Sequence, residues 1–431
     1  LNIFQKLEIS QKQLVKFGLK VKNKMSEFFL ELFSEEIPPK LQINARKNLY
    51  ENLKKFFEEN EILIKGKLNV YSTPNRLIVY IDKITKQISK KSEEIRGPNV
   101  NSPDKALEGF LRSNNINKSQ VFTKKTQKGE FYFYKKPSQK INTASLLREH
   151  LPNILTKITW NKSMKWGNHN FFWGRPLKSI LSIFDGKKLD FNFYHLKSSN
   201  ITFIDKELEE KIKVFNSFKS YSSFFKSKGI LIDQEKRKLF ISNEILKISK
   251  VKKIKINLKK ALLEEITNIV EKPKILFCEF DKKYLSIPKE ILIITMQSHQ
   301  KYFPTFDNKD NLTNNFIVVA DNKDSKGLIK LGNERVIEAR LNDAEFFWKK
   351  NRSQNLVKQV SKLKNINYFK GLGSYFDKVQ RIRKLCGIIS DEMLISKEKI
   401  EIASSICKVD LMSDLVGEFP ELQGIMGGYF A

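Results

Sequence analysis

The densest set of chemically capable side chains lies in nine consecutive residues, Met296-Gln297-Ser298-His299-Gln300-Lys301-Tyr302-Phe303-Pro304. Two amides, an imidazole, an ammonium and two aromatic rings fall in one short stretch. Rings of this kind stack on unpaired bases, while amides and ammonium groups reach base edges and phosphates. Gln300, Lys301 and Tyr302 are therefore candidate RNA contacts. A plainer use fits the same pattern, with Tyr302 and Phe303 in the core and Gln and His completing local hydrogen bonds. A second set lies in 332–341, where Arg335 and Arg340 carry guanidinium forks suited to phosphate. Glu338 and Asp343 lie about one helical turn away, so ion pairs along a helix explain that pattern equally well.

Most enzyme signatures are absent. The chain has no GxxxxGK[ST] loop, no GxSxG and no HExxH. The four His, at 150, 169, 195 and 299, are scattered, and none stands next to an Asp as a metal phosphohydrolase requires. Lys162-Ser163-Met164-Lys165 is close to the KMSKS loop of one class of tRNA synthetases, but its order is wrong and no HIGH-like partner precedes it. Gly371-Leu372-Gly373-Ser374 lacks the third Gly of a phosphate loop and reads better as a turn between helices.

The 79 Lys and Arg against 48 Asp and Glu give a net charge of +31 over 431 residues. Such a balance favours a polyanionic partner, because each neutralised phosphate releases counterions. The abundance of Lys, Asn and Ile also fits an AT-rich coding sequence. Hydrophobic residues make up 40%, with 33 Phe, enough for packed cores. Cys278, Cys386 and Cys407 form no CxxC pair, which argues against a disulfide framework or a zinc ribbon. No apolar run has the length of a membrane span and the first 24 residues hold no secretory pattern, so a cytoplasmic setting without membrane attachment is expected.

The elements that must position these residues read as an α+β, multidomain chain. Residues 1–24 form a Lys- and Gln-rich extension, with Met25 a candidate start. An α/β domain is expected over 25–150, with FFLELF at 28–33 as a strand and Ser34, Glu35 and Glu36 capping a helix whose apolar positions are Leu41, Ala45, Leu49 and Leu53. The stretch 90–103, with Gly97-Pro98, reads as a loop or hinge. A second α/β domain is expected over 151–330, with a hairpin at Asp185-Gly186 and a charged, mostly helical insert near 205–260. A helical domain follows over 331–431, where Ile337, Leu341, Ala344 and Trp348 share one helix face and Ile382, Leu385, Ile388 and Ile389 continue a helical pattern. The chain stops within that helical region, as a fragment would.

Several blocks, in order, resemble the beta subunit of the bacterial two-subunit glycyl-tRNA synthetases. The stretch from Met25 through Phe28-Phe29-Leu30-Glu31-Leu32-Phe33 to Pro38-Pro39 is similar to the family's opening. Thr73-Pro74-Asn75-Arg76-Leu77 resembles its "TP-R-L" strand. Met164-Lys165-Trp166-Gly167 with Arg175-Pro176 resembles its "MRWG…RPI" block; Lys165 and Arg175 are further candidate tRNA contacts on their chemistry, as cations suited to phosphate. Thr295–Pro304 resembles "TMQ-HQKYFP", 332–348 resembles "GNERV…ARL-DAEFFW", and 410–427 resembles "DL…VGEFPELQGIMG". The pattern departs at 197–204, where an expected His and Arg are missing, and the family continues past Ala431 to an anticodon-binding domain.

The resemblance implies one subunit of an enzyme that joins glycine to its tRNA with ATP. The class II catalytic fold, ATP and its Mg would belong to the alpha subunit, with none bound by this chain. The beta subunit would bind tRNA(Gly) and complete an alpha2beta2 heterotetramer. No catalytic residue carries over to this chain, and no metal ligand. The helical region of 331–431 would be a degenerate HD-like domain, with Lys408-Val409-Asp410 where a metal-binding His-Asp pair would stand. The rival readings are a non-catalytic RNA-binding or scaffolding protein and an HD-type hydrolase, the latter opposed by the missing His-Asp pair.

Overall fold

A computed structural model of the chain describes residues 24–90, 92–203, 213–394 and 396–431. The extension read at 1–24, save Lys24, and the part 205–212 of the charged insert lie outside the described residues. The fold is α+β, and the chain divides into two compact units, Leu1–Phe225 and Lys226–Ala431. No helix among the described residues is long and apolar enough to cross a membrane.

In chain order the first unit contains β1 (Met25–Ser34), α1 (Pro39–Glu59), β2 (Leu68–Thr73), β3 (Arg76–Thr85), β4 (Gln87–Lys90), β5 (Glu93–Asn99), α2 (Asp104–Asn114), β6 (Val121–Thr126), β7 (Gly129–Lys136) and β8 (Gln139–Asn142). It continues with α3 (Thr143–Thr156), β9 (Leu177–Phe184), β10 (Lys187–Lys188), β11 (Asn192–Phe193), β12 (Leu196–Lys197), β13 (Ile201–Thr202), β14 (Lys213–Val214) and α4 (Phe218–Ser227). The boundary read at 150/151 falls inside α3.

An antiparallel sheet of order β10-β9-β1-β3-β2 forms the centre of this unit. Strand side chains alternate between faces. Phe28, Leu30 and Leu32 of β1 pack with Leu41, Ala45, Leu49 and Leu53 of α1 and with Leu147 and Leu151 of α3. Phe29, Glu31 and Phe33 take the other face, where Phe29 meets Tyr221 of α4. A strand covered on both faces reads as a continuous apolar run, as FFLELF does. Its one charge, Glu31, is fully buried and is answered by Arg76 at 3.2 Å, with Thr202 and Tyr221 donating to its carboxylate. A buried carboxylate needs such partners, since desolvation is otherwise costly.

The expected hairpin at Asp185-Gly186 is present, with both residues in the left-handed region that a two-residue turn requires. Two readings change. Helix α1 begins at Pro39 behind Pro38 with no side-chain cap, while the Ser34 hydroxyl donates to the Glu35 carbonyl and Glu35 pairs with Lys178. The supposed loop at 90–103 contains β5, which pairs with β7 around a bulge between Arg96 and Asn99. Tertiary contacts override the Gly-Pro signal there. The Arg96 guanidinium sits 3.5 Å from the Phe131 ring centre, and a Cβ at Gly97 would stand 2.9 Å from the Phe110 ring of α2.

The second unit contains α5 (Gln234–Lys252), β15 (Lys255–Ile256), α6 (Lys260–Thr267), β16 (Lys274–Glu279), α7 (Lys289–Ile294), β17 (Phe303–Phe306), β18 (Leu312–Ala320) and α8 (Leu328–Arg352). It ends with β19 (Asn367–Phe369), β20 (Gly373–Ser374), α9 (Tyr375–Met393), α10 (Lys397–Ile406), α11 (Asp414–Glu418) and α12 (Ile425–Phe430). The boundary read at 330/331 falls inside α8.

Its antiparallel sheet has the order β15-β17-β18-β16. One face packs on α5 and α6 through Phe303, Ile317, Ile241 and Leu263. The other packs on α8 and α11 through Cys278, Phe316, Ile337, Leu341, Trp348 and Leu415. The helical stripe read on α8 is thus its buried face. On α9, by contrast, Leu385, Ile388 and Ile389 are exposed, and Val379 and Ser390 are the buried residues. The glycines at 371 and 373 do not join two helices. They close the β19–β20 hairpin at positive φ, after which Ser374 and Asp377 cap α9 reciprocally.

Candidate nucleic-acid interface

The nine-residue stretch at 296–304 starts as a helical element and ends as a strand. α7 runs on through a widened turn over Thr295–His299, where the Thr295 hydroxyl donates to the Ile291 carbonyl at 2.8 Å. The chain then reverses. Lys301 takes a left-handed φ of 60°, and the Tyr302 amide donates back to the Met296 carbonyl at 2.8 Å. Entry into β17 sends Tyr302 and Phe303 to opposite faces of the sheet, one toward α8 and the other toward α5 and α6.

Burial decides the role of Tyr302. It is 5% exposed, stacks on Phe316 with ring centres 5.0 Å apart, and donates its hydroxyl to Asn333 Oδ1 at 2.7 Å. Burial pushes its phenol up to about 12, with Cys278 adding to the shift. This ring offers no open face to a base. Lys301 is also engaged: its ammonium lies 3.2 Å from the Glu265 carboxylate and donates to the Ser298 carbonyl at 2.9 Å. Gln300 remains half-buried, beside Lys301 and Tyr302, on a cavity of about 420 Å³ that Asn333 and Asp321 also line. Desolvation holds the Asp321 carboxyl above its usual range, against the pull of the Glu271 and Lys272 amides it accepts from.

On α8, Arg335 and Arg340 are exposed, and among the described residues neither forms an ion pair or a hydrogen bond. The helical pairs of this element lie elsewhere, at Lys330–Glu334 and Glu345–Lys349. Glu334 also accepts the Glu279 amide, so the carboxylate beside Arg335 in sequence is spent on the neighbouring strand. Both guanidinium groups are left open for an external anion.

Lys165 and Arg175 belong to the first unit, where the structure adds residues that sequence reasoning passed over. Met164 and Trp173 pair through two backbone hydrogen bonds of 2.9 and 3.2 Å, making a small hairpin of the segment between them. Trp173 and Phe171 turn inward onto Phe193, and Phe171 meets Trp166 at 5.2 Å. Alternation leaves Lys165 and Phe172 as the outward pair, and both are exposed, Phe172 at 59%. A second hairpin, β11–β12, turns at Tyr194-His195. Tyr194 stacks on Phe171 at 4.4 Å yet stays 54% exposed, and His195 stacks on His169 at 3.7 Å with the rings near parallel. Desolvation, then the neighbouring His169, lowers the pKa of His195. Arg175 is half-buried and donates to the Gly174 carbonyl at 2.9 Å. The available signal was an alternation, inward Phe171 and Trp173 about outward Phe172, in a stretch free of acidic residues from 157 to 184.

Asp410 is structural in this fold. It is buried, and one carboxylate oxygen accepts the amides of Gly424 at 2.5 Å and Gly427 at 3.2 Å, fixing the start of α12. A Cβ at Gly427 would stand 3.3 Å from that carboxylate, a tight contact that glycine avoids. Among the described residues, no group of three or more His, Cys, Asp or Glu is placed to hold a metal ion.

Comparison with known proteins adds a family to this geometry. Residues 28–431 match the family model described as glycyl-tRNA synthetase beta subunit. The glycine–tRNA ligase beta subunit of Rickettsia bellii (strain OSU 85-389) is 37% identical over 408 residues, covering 94% of this chain and 61% of that relative. The Rickettsia prowazekii (strain Madrid E) glycine–tRNA ligase beta subunit is 36% identical over 408 residues, with 94% and 60% covered. That of Rickettsia felis is 34% identical over 411 residues, with 94% and 61% covered. The chain spans about three fifths of the length of these curated relatives. A match running through both units, from the first strand to the last helix, cannot rest on one shared motif: the chain belongs to the glycyl-tRNA synthetase beta subunit family.

Proposed function

We propose that this chain works as the beta subunit of a glycine–tRNA ligase. It binds tRNA(Gly) and, with an alpha subunit, completes the enzyme that attaches glycine to its tRNA using ATP. In this reading the adenylate forms on alpha, which holds ATP and Mg, and the assembly is an alpha2beta2 heterotetramer in the cytoplasm. The observation that carries the reading is the family match over 28–431. The net charge of +31 supports a polyanionic partner, because displaced counterions drive such binding.

The division of labour is positional. Chemistry at the terminal ribose gains most from holding the reacting groups in one geometry, which a second, RNA-gripping subunit can supply. Arg335 and Arg340 take phosphates, their guanidinium groups being unpaired among the described residues. Lys165 and Arg175 take further phosphates from the first unit. Gln300 faces the cavity beside Asn333 and offers an amide to a base edge, while Tyr302, bonded to Asn333, anchors the turn that presents it.

Glycylation of tRNA by this chain, by an alpha subunit and by the two mixed, with ATP and labelled glycine, tests the proposal. Product only in the mixture is the expected result. Product from alpha alone at the same rate would overturn the role of this chain.

A further inference from the structure

We propose that the paired hairpins at 164–173 and 192–197 are a stacking platform for unpaired bases of RNA, each hairpin offering one exposed ring, Phe172 and Tyr194, with Lys162, Lys165 and Lys197 on or next to the same hairpins. The inference deepens the proposed tRNA binding and rests on it.

Three independent observations converge there. The first is exposure of rings in an ordered setting. Tyr194 lies against Phe171, which is itself locked onto Trp166, Trp173 and Phe193, so the outer face of Tyr194 is open while its inner face is fixed. Phe172, one residue along, turns outward from the same hairpin. A ring held in place loses little entropy when a base stacks on it.

The second is backbone cost. Tyr194 occupies the two-residue turn of β11–β12 at φ 52°, a conformation that glycine adopts freely and a side chain resists. Glycine would make the better turn, and the ring that replaces it is open to solvent. Strain kept at such a position points to use rather than to folding.

The third is charge. No acidic residue occurs from 157 to 184 or from 191 to 203, and Asp190, the nearest acid to the second hairpin, is paired with Lys188 at 2.9 Å. Lys162, Lys165 and Lys197 are exposed and have no ion pair among the described residues. Aromatic faces beside unpaired lysines are what a single strand needs, stacking for its bases and cations for its phosphates. A duplex hides its base faces and would use the lysines alone.

The test measures binding of this chain to an unstructured eight-residue oligoadenylate RNA and to folded tRNA, by fluorescence anisotropy at two salt concentrations. Phe172→Ala and Tyr194→Gly should each weaken oligonucleotide binding roughly tenfold, as loss of one stacked base does. Tyr194→Gly relaxes the turn, so its melting temperature should hold, separating lost stacking from lost fold. Tyr194→Trp should restore affinity. Unchanged oligonucleotide affinity in both variants, or tRNA binding by the native chain with none to the oligonucleotide, overturns the platform and leaves the subunit reading standing. Failure to bind either RNA overturns both.

Discussion

The stretch 296–304 and the paired hairpins at 164–173 and 192–197 have similar inventories of aromatic, amide and basic side chains, and the fold treats them in opposite ways. In the second unit the stretch enters a central strand. Tyr302 and Phe303 become core on opposite faces, and Lys301 is tied to Glu265. In the first unit the hairpins lie beside the main sheet, so one ring of each adjacent pair anchors the cluster and the other faces water. Residue type alone does not separate rings that face water from rings that form a core. What separates them is whether the backbone carrying the rings has a layer on one face or on both.

The two regions differ most at their aromatic residues. Tyr302→Ala should cost about 3–5 kcal/mol of stability, the range for truncating a large buried ring, and leaves Asn333 without its partner. Tyr194→Ala should cost under about 1 kcal/mol, as exposed substitutions do. Urea denaturation of the two variants measures both, and equal losses would mean that the two rings are equally part of the core.

A smaller effect separates the open arginines from the engaged lysine. Arg335→Glu combined with Arg340→Glu should weaken tRNA binding at least about tenfold and reduce the salt slope by about one per lost phosphate contact. Unchanged affinity would remove α8 from the interface. Lys301→Met should leave tRNA affinity within about twofold and cost no more than about 1 kcal/mol, since its half-exposed pair with Glu265 is worth little.

Alkaline titration reports on the buried groups of the second unit. Tyr302 and Cys278 are both pushed up to about 12 by burial, so the fold favours their neutral forms. In an unfolded chain they ionise near about 10 and 8.5. Their contribution is therefore complete below the unfolded values and is lost as pH rises toward the folded ones. Between about pH 10 and 12 the loss from Tyr302 approaches about 1.4 kcal/mol per pH unit. Tyr302→Phe should flatten the fall of melting temperature across that window, and an unchanged slope would mean the phenol is not held neutral.

Much of the fold was legible. FFLELF became a strand because a run with no exposed face suits a doubly covered sheet. The α8 stripe Ile337, Leu341, Ala344 and Trp348 became a buried face because helical spacing aligns those positions. The turn at Asp185-Gly186 formed because both residues accept left-handed φ. The strand at Glu93–Asn99 was hidden because Gly97-Pro98 signals a break, and only the approach of Phe110 and Phe131 explains why the chain pairs there. Of the candidate contacts, Arg335 and Arg340 are placed as free cations, yet their local pattern equally predicted ion pairs with Glu338 and Asp343.

By itself the sequence determined the charge, the periodicities, the turn positions and the ordered blocks that carry the family, because these depend on residue type and spacing along the chain. Only the tertiary structure decided which aromatic rings face water, which charges are already paired and where the two compact units divide. Those outcomes depend on layers brought together from distant parts of the chain, as when Glu31 finds Arg76 and Tyr221 or Phe171 finds Tyr194. Burial and pairing are properties of that assembly, and no local window contains them.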